Sequence, residues 1–407
     1  MASCKSYLPQ TYKHDERRFF MFKRTMIAAS LAVAALASAQ SMAAVVGGGA
    51  TLPEKLYGTT TGTGILASSI PGFNAYIGVG SGDGKKAFFG NDSTKLKLAA
   101  GITVDYAGSD SIVSAAELAA YNADAVKGRA AFGPLIQIPA EATSVTVPYH
   151  IDGQTSLQLT SAQLADIFAG KITNWNQVQF NGTAGPNLQI KVVYRLETSG
   201  TTEIFTNHLK TVKPASVPAV SNSFATAVGF NPATGAPAGS SYIGATGSQG
   251  VATAVADNNG AIGYVSPDFS QFDQASAVAS INGSLPTKDK VQLALTEATL
   301  PTVDPTKSVS NPIDWVPTFP NPAQGYPIVG YTNLVFSQCY KDSTDNIRIR
   351  NFLNRHNTGV NNSAVESHAF IPVPANWQKA ILDTFYATTS SLRVGDPNTC
   401  NGIGRPL

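Results

Sequence analysis

Leu188-Gln-Ile-Lys-Val-Val-Tyr-Arg-Leu-Glu-Thr-Ser-Gly-Thr-Thr202 carries the plan of the whole chain. Leu188–Tyr194 is short, apolar and rich in β-branched residues, which predicts a buried strand. A polar turn follows from Arg195, and a helix is predicted to open at Thr201 and run to Leu209. The same alternation recurs on both sides. Strands are predicted at Ile102–Ala107, Ser144–His150, Ala261–Val265 and Ile328–Val335. Helices are predicted at Ala115–Tyr121, Ser161–Ala169, Gly247–Asp257, Asp345–Arg355 and Ala375–Thr388. In the Asp345–Arg355 segment Ile347, Phe352 and Leu353 are expected to share one face. Ala225–Ser241 and the proline-rich Leu300–Gln324 read as loops. Strands and helices in alternation predict an α/β architecture.

The 407 residues are 43% hydrophobic and only 13% charged, against roughly 25% charged for an average soluble domain. That apolar fraction is enough to bury a core and excludes disorder, and the length predicts about two domains. Basic and acidic residues number 28 and 26. So balanced a charge argues against a nucleic-acid binder, which needs a basic stripe to displace counterions.

Residues 1–43 read as a targeting leader. Lys23 and Arg24 precede the short apolar run Met26–Ala37, and Ser41-Met42-Ala43 supplies a small-x-small cleavage pattern. The run is too short to span a bilayer, which needs about 20 residues. Met21 is a candidate true start, and cleavage is expected after Ala43. Removing the leader takes six basic residues (Lys5, Lys13, Arg17, Arg18, Lys23, Arg24) and two acidic ones (Asp15, Glu16), leaving a net charge of −2. No later stretch is apolar enough to insert stably in a membrane. Cys4 leaves with the leader. Cys339 and Cys400 remain, and an even pair in an oxidising compartment suggests one disulfide, the alternative being two separate buried thiols.

Three Gly-rich stretches suit an anion. In Gly47-Gly-Gly-Ala-Thr-Leu-Pro53, Thr51 is expected to cap a helix with Pro53 in its first turn. Tyr76-Ile-Gly-Val-Gly-Ser-Gly-Asp-Gly84 offers the Ser81 hydroxyl. Arg195-Leu-Glu-Thr-Ser-Gly-Thr-Thr202 combines an Arg fork, hydroxyls and free helix-terminal amides, a set that a tetrahedral oxyanion wants. Gly80-Ser-Gly-Asp-Gly-Lys-Lys86 lacks the spacing of a P-loop. The mature histidines (His150, His208, His356, His368) have no metal-site spacing, and no Ser sits in G-x-S-x-G. Asp110, in Ala107-Gly-Ser-Asp-Ser111, follows a predicted strand and is either a turn aspartate or a site carboxylate.

These stretches, with Gly247-Ser-Gln-Gly250, Val265-Ser-Pro-Asp-Phe269, Asn333-Leu-Val-Phe-Ser-Gln-Cys339 and Cys400-Asn-Gly-Ile-Gly-Arg-Pro406, resemble the DING proteins over essentially the whole mature chain. DING proteins are relatives of the phosphate-binding subunits of phosphate ABC transporters. The resemblance implies a two-domain, type II periplasmic-binding-protein fold with two crossover strands and a ligand cleft. One discontinuous domain would span 44–145 plus 330–407, and 146–329 would form the other. It further implies inorganic phosphate held by Thr51, Leu52 (through its N–H), Ser81, Asp110, Arg195, Ser199, Gly200 and Thr201, with Glu197 steadying the Arg195 fork. Asp110 would accept the proton that phosphate carries and sulfate lacks. No cofactor is implied. A periplasmic or secreted monomer is expected, with a phosphate ABC permease as a candidate partner. The alternative is a low-molecular-weight alkaline phosphatase, for which no base stands out beside Ser81 or Ser199. Two features depart from the family. Ala44-Val-Val-Gly47 replaces the name-giving Asp-Ile-Asn-Gly, and Ala165 stands where relatives often place a cysteine of a second disulfide.

Overall fold

Three consecutive glycines make an unpromising strand by propensity, yet Gly47–Gly49 (β1) is one, wedged where side chains have no room. A Cβ on Gly49, whose φ is +144°, would lie 2.1 Å from the Gly108 carbonyl oxygen. The computed structural model describes residues 44–67, 72–180, 182–296 and 298–405, so the predicted leader at 1–43 lies outside the described residues. In chain order the further strands are Ile77–Gly78 (β2), Tyr106–Ser109 (β3), Leu135–Ser144 (β4), Tyr149–His150 (β5), Lys191–Arg195 (β6), Ser241–Ala245 (β7), Ala261–Ile262 (β8), Val329–Ser337 (β9) and Ile371–Pro372 (β10). Two short strand pairs lie outside the two main sheets.

The larger sheet has the order β10-β4-β9-β3-β1-β2, parallel across β3-β1-β2 and antiparallel elsewhere. The smaller has the order β7-β6-β8-β5, with only the β8-β5 pair antiparallel. The larger sheet draws on residues 47–144 and 329–372, the smaller on 149–262. The chain therefore passes between them twice, and the two passages touch. Val145 N–H donates to the Ile328 carbonyl at 2.9 Å, and the Tyr326 hydroxyl donates to the Val145 carbonyl at 2.9 Å. The two sheets meet where β1 and β3 give way to loops carrying Thr51 and Asp110 and where β6 ends on Arg195, which donates to Thr51.

Several expectations are corrected. β4 is buried along its whole length but was missed, because Leu-Ile-Gln-Ile-Pro-Ala-Glu-Ala-Thr-Ser mixes polar residues with a proline. Only its last residue falls in the predicted Ser144–His150 strand. Pro139 cannot donate to a ladder, and the pairing slips there: Thr332 faces Glu141 while Asn333 faces Pro139, leaving Ala140 as a bulge. β3 starts at Tyr106 rather than Ile102. The Gly-rich 81–90 stretch is a helix (Ser81–Gly90), and the presumed loop at 225–241 starts within the short helix Phe224–Val228. Ile347 is exposed, and Ile349 instead joins Phe352 and Leu353 in the core.

Under the smaller sheet, Phe168, Phe205, Phe224 and Tyr264 form one aromatic cluster, with Phe205 stacked on Tyr264 at 4.5 Å. The Tyr264 hydroxyl also accepts the Arg195 N–H at 3.1 Å and pairs with Thr202 Oγ1 at 2.8 Å. Packing thereby fixes both ends of the 195–202 turn. Cys339 and Cys400 form a disulfide with a Cα–Cα distance of 5.2 Å across a sequence separation of 61. Beside it the Arg405 guanidinium is buried over Phe88 and Phe132, at 3.9 and 4.1 Å from the ring centroids, and donates to the Phe88 and Val104 carbonyls. The Ser81–Gly90 helix is thus braced from behind. Reduction of the bridge is expected to cost about 2–4 kcal/mol of stability, read as a lower urea midpoint with a slope that rises as the freed chain expands on unfolding.

Candidate anion-binding site

Three helices start at one point. Ser81–Gly90 follows β2, Gly200–Val212 follows β6 and Gly247–Ala256 follows β7. Each helix start carries the positive end of its dipole, so their meeting point favours an anion. Leading N–H groups meet side chains and carbonyls of the same site, Gly82 the Thr198 carbonyl, Gly200 Ser81 and Gly247 Glu197. Thr51, Ser81, Asp110, Arg195, Ser199 and Thr201 are each at most 5% exposed, and Leu52 is fully buried.

Arg195 is the cation. Its Nε donates to Glu197 Oε1 at 2.6 Å, its Nη2 donates to the same oxygen, and Nη2 also donates to Thr51 Oγ1 at 2.9 Å. Glu197 Oε1 takes the Gly247 N–H at 3.0 Å as well. A planar fork held on two nitrogens has little freedom left, which makes Glu197 the brace of Arg195.

Ser81 Oγ accepts the Asp110 N–H and the Gly200 N–H, each at 3.1 Å. With two donors arriving, its own proton is free to point at a ligand oxygen. The Gly200 amide is thereby paired with Ser81 in this structure. Asp110 Oδ2 accepts the Thr201 hydroxyl at 3.2 Å, while Oδ1 has no protein partner among the described residues. Burial pushes the Asp110 carboxyl up to about 6, against the nearby Thr332 hydroxyl, the charge of Arg195 and hydrogen bonding from Thr201. Its free Oδ1 is an acceptor in want of a donor whenever the carboxyl is ionised.

The expected helix cap at Thr51 is not formed. Pro53 occupies the cap position of the short helix Glu54–Tyr57 with no side-chain bond. The Thr51 hydroxyl turns to the second lobe, toward Arg195 and Ser248. Ser199 Oγ caps its own helix by accepting the Thr202 N–H at 3.3 Å. Leu52 gives its carbonyl to the Ser266 hydroxyl at 3.0 Å. Hydrogen bonds therefore link Thr51, Arg195 and Glu197 to one another, and Ser81, Asp110, Gly200 and Thr201 to one another. Leu52 follows Thr51 in the chain, and Ser199 precedes Gly200. Ser248 was not assigned a role by sequence. It donates its N–H to Thr51 Oγ1 at 3.2 Å and pairs hydroxyl to hydroxyl at 3.1 Å. Its signal was available, a serine one residue into a helix that follows a strand and a glycine. Glu54, also unassigned, is pushed up to about 7 by burial, although Arg195 and Lys55 pull it down.

Where the loops of the two sheets meet, glycines leave no room for a side chain. A Cβ on Gly200 would lie 2.4 Å from the Ser111 nitrogen and 2.5 Å from the Asp110 Cβ. Neither neighbour can swing aside, so Gly200→Ala is expected to hold the lobes apart. It should lower oxyanion affinity by at least about 100-fold with little change in melting temperature, measured by calorimetric titration and thermal unfolding.

Among the described residues no group of three His, Cys, Asp or Glu is placed to hold a metal ion, and no helix is long and apolar enough to cross a membrane. The Ser81 and Ser199 hydroxyls meet backbone amides, not a histidine or a carboxylate.

The family described as the PBP superfamily domain matches residues 34–354. A Pseudomonas aeruginosa protein named Alkaline phosphatase L is 45% identical over 392 residues, covering 95% of this chain and all of its own. A high affinity periplasmic phosphate-binding protein (PfluDING) solved with phosphate at pH 8.5 is 39% identical. It superposes with a TM-score of 0.78 over 89% of this chain and all of its own. A phosphate-binding protein from Stenotrophomonas maltophilia gives 39% identity and a TM-score of 0.77 over the same shares. Family match, sequence identity and superposition agree, and the chain belongs to the DING proteins of the periplasmic-binding-protein superfamily.

Proposed function

We propose that this protein captures inorganic phosphate outside the cytoplasmic membrane and holds it, with its proton, between two closing domains. The observation that carries the reading is Asp110: a buried carboxylate with one oxygen left without a protein partner among the described residues, placed where three helix N-termini and Arg195 call for an anion. An acceptor in an anion site makes sense only for an anion that still carries a proton. Thr51, Leu52, Ser81, Ser199, Gly200 and Thr201 supply fixed donors, and Glu197 holds Arg195 square to the ligand. The domains would be 44–145 plus 330–407 and 146–329, hinged at the paired passages near Val145 and Ile328.

The leader at 1–43 would direct export, and the mature monomer would act in the periplasm or be secreted, with a phosphate ABC permease as its candidate partner. Binding without hydrolysis is the favoured reading although a relative is named a phosphatase. No base activates Ser81 or Ser199, and no metal-holding group is found among the described residues. The test is calorimetric titration of phosphate and sulfate into mature protein stripped of anion by unfolding and refolding. Tight one-to-one phosphate binding without a sulfate response supports the reading. No binding by refolded protein, or turnover of a phosphate monoester by homogeneous protein that is abolished in Arg195→Ala, would overturn it.

A further inference from the structure

Glu141 is a second acid behind the anion site, fully buried on β4 beside the Ala140 bulge. No protein donor completes a hydrogen bond to either of its carboxylate oxygens. The groups facing it come from every element packed around it: Tyr57 from the short helix, Tyr76 before β2, Asp110 after β3, Thr332 from β9 and His356 from the Ser343–Asn357 helix. No lysine or arginine is among them. The one candidate cation is His356, whose Nε2 is 3.8 Å from Glu141 Oε2. That nitrogen is already committed to the Ala140 carbonyl at 2.9 Å, and Nδ1 meets the Asn361 amide nitrogen at 3.2 Å. Burial holds His356 below the usual imidazole range despite the Ala140 carbonyl, which disfavours a charged ring beside Glu141. An ionised Glu141 would be a buried charge with no counter-charge, next to Asp110.

The orphaned polar atoms between the two acids give this a direction. Asp110 Oδ1, Thr332 Oγ1, Tyr57 OH and the Glu141 oxygens all lack a completed protein hydrogen bond. Thr332 lies opposite Glu141 in the β4-β9 register, and its neighbour Asn333 lies opposite Ser109, so Thr332 stands between Glu141 and the strand end that leads into Asp110. A protonated Glu141 can donate toward Tyr57, Tyr57 toward Thr332, and Thr332 toward Asp110, so every dipole in the line supports the Asp110 carboxylate. Loss of the Glu141 proton to solvent reverses the first link and adds a negative charge behind the ligand. We propose that Glu141 is a positioning residue that sets the pH range of the anion site, an acid that must keep its proton for phosphate to stay bound. Burial, with the Asp110 charge, pushes its carboxyl up to about 8 despite the Tyr57 hydroxyl, so the switch falls on the mildly alkaline side.

This rests on phosphate being the ligand. The experiment is calorimetric titration of phosphate into the parent and Glu141→Gln, whose amide donates like the acid but does not titrate, between about pH 7 and about pH 9.5. The parent is expected to lose at least about tenfold in affinity over this range, and Glu141→Gln to stay flat. Infrared spectra of the anion-free parent, which need neither ligand nor variant, should show a protonated-carboxyl band that fades over the same range. The difference from Glu141→Gln at about pH 7 assigns it. Parallel affinity profiles, or a difference spectrum without that band, overturn the inference. A parent that binds no phosphate at about pH 7 overturns the functional reading, and with it this role for Glu141, even if the band is present.

Discussion

Arg195→Ala is expected to weaken phosphate binding by about 3–5 kcal/mol, roughly 100- to several-thousand-fold. Two losses combine. The site loses its one buried guanidinium, which is 2% exposed and spans from Glu197 to Thr51. It also keeps Glu197, whose carboxylate would then face the anion with only the Gly247 N–H for company. Glu197 is 17% exposed, so water relieves part of that repulsion but not all. Adding Glu197→Gln to Arg195→Ala should therefore recover some affinity, an inversion that independent contributions would not produce. Calorimetry on the parent, both single variants and the pair measures it. Near-normal affinity in Arg195→Ala would remove this residue from the site.

Asp110→Asn should change selectivity more than affinity. The carboxylate accepts a proton from phosphate and repels sulfate, whereas the amide neither repels nor accepts as well. Phosphate affinity should fall by about 10–100-fold and sulfate affinity should rise, narrowing the gap from both sides. The pH dependence carries its own sign. Asp110 is pushed up to about 6 in the ligand-free site, so it becomes a donor rather than an acceptor as pH falls through that value. The parent should lose phosphate affinity below about pH 6, and Asp110→Asn should not. Competition titrations with both oxyanions between about pH 5 and about pH 7.5 test the two statements together. An unchanged ranking of phosphate and sulfate in the variant would refute the role given to Asp110.

How far the sequence could be read depended on where each interaction lay along the chain. Arg195, Glu197, Ser199 and Thr201 sit within seven residues on a strand, a turn and a helix start, so local rules found them. Thr51 does not form the helix cap that its local sequence suggests. A threonine two residues before a proline looks like a cap, and only its long-range partners, Arg195 and Ser248, explain what its hydroxyl does. β4 does alternate, Ile136, Ile138, Ala140 and Ala142 against Gln137, Glu141 and Thr143. But Pro139 in its middle argues locally against a strand, and the alternate residues are polar yet buried. Glu141 was invisible for the same reason. Nothing in Pro-Ala-Glu-Ala signals that His356, more than two hundred residues away, will cover that carboxylate without neutralising it. The Ser81–Gly90 helix shows tertiary structure overriding propensity. A Cβ on Gly84 would lie 2.4 Å from the Gly49 Cα, so a poor helix former is the residue that packing requires.

The position of β9 also determines the order in which the molecule can be assembled. This strand, Val329–Ser337, lies between β4 and β3 and pairs with both. A chain emerging from the N-terminal side produces β3 and β4 and then the whole of the smaller sheet before it produces the strand that joins them. Until then each offers an unpaired edge, the arrangement that invites pairing with another chain. The smaller sheet, drawn from 149–262 without interruption, can form while the larger one waits. Refolding should accordingly show an early phase reported by Trp175, which lies among those residues, and a slower one reported by Trp315 and Trp377. The slow phase should grow with protein concentration as exposed edges find the wrong partner.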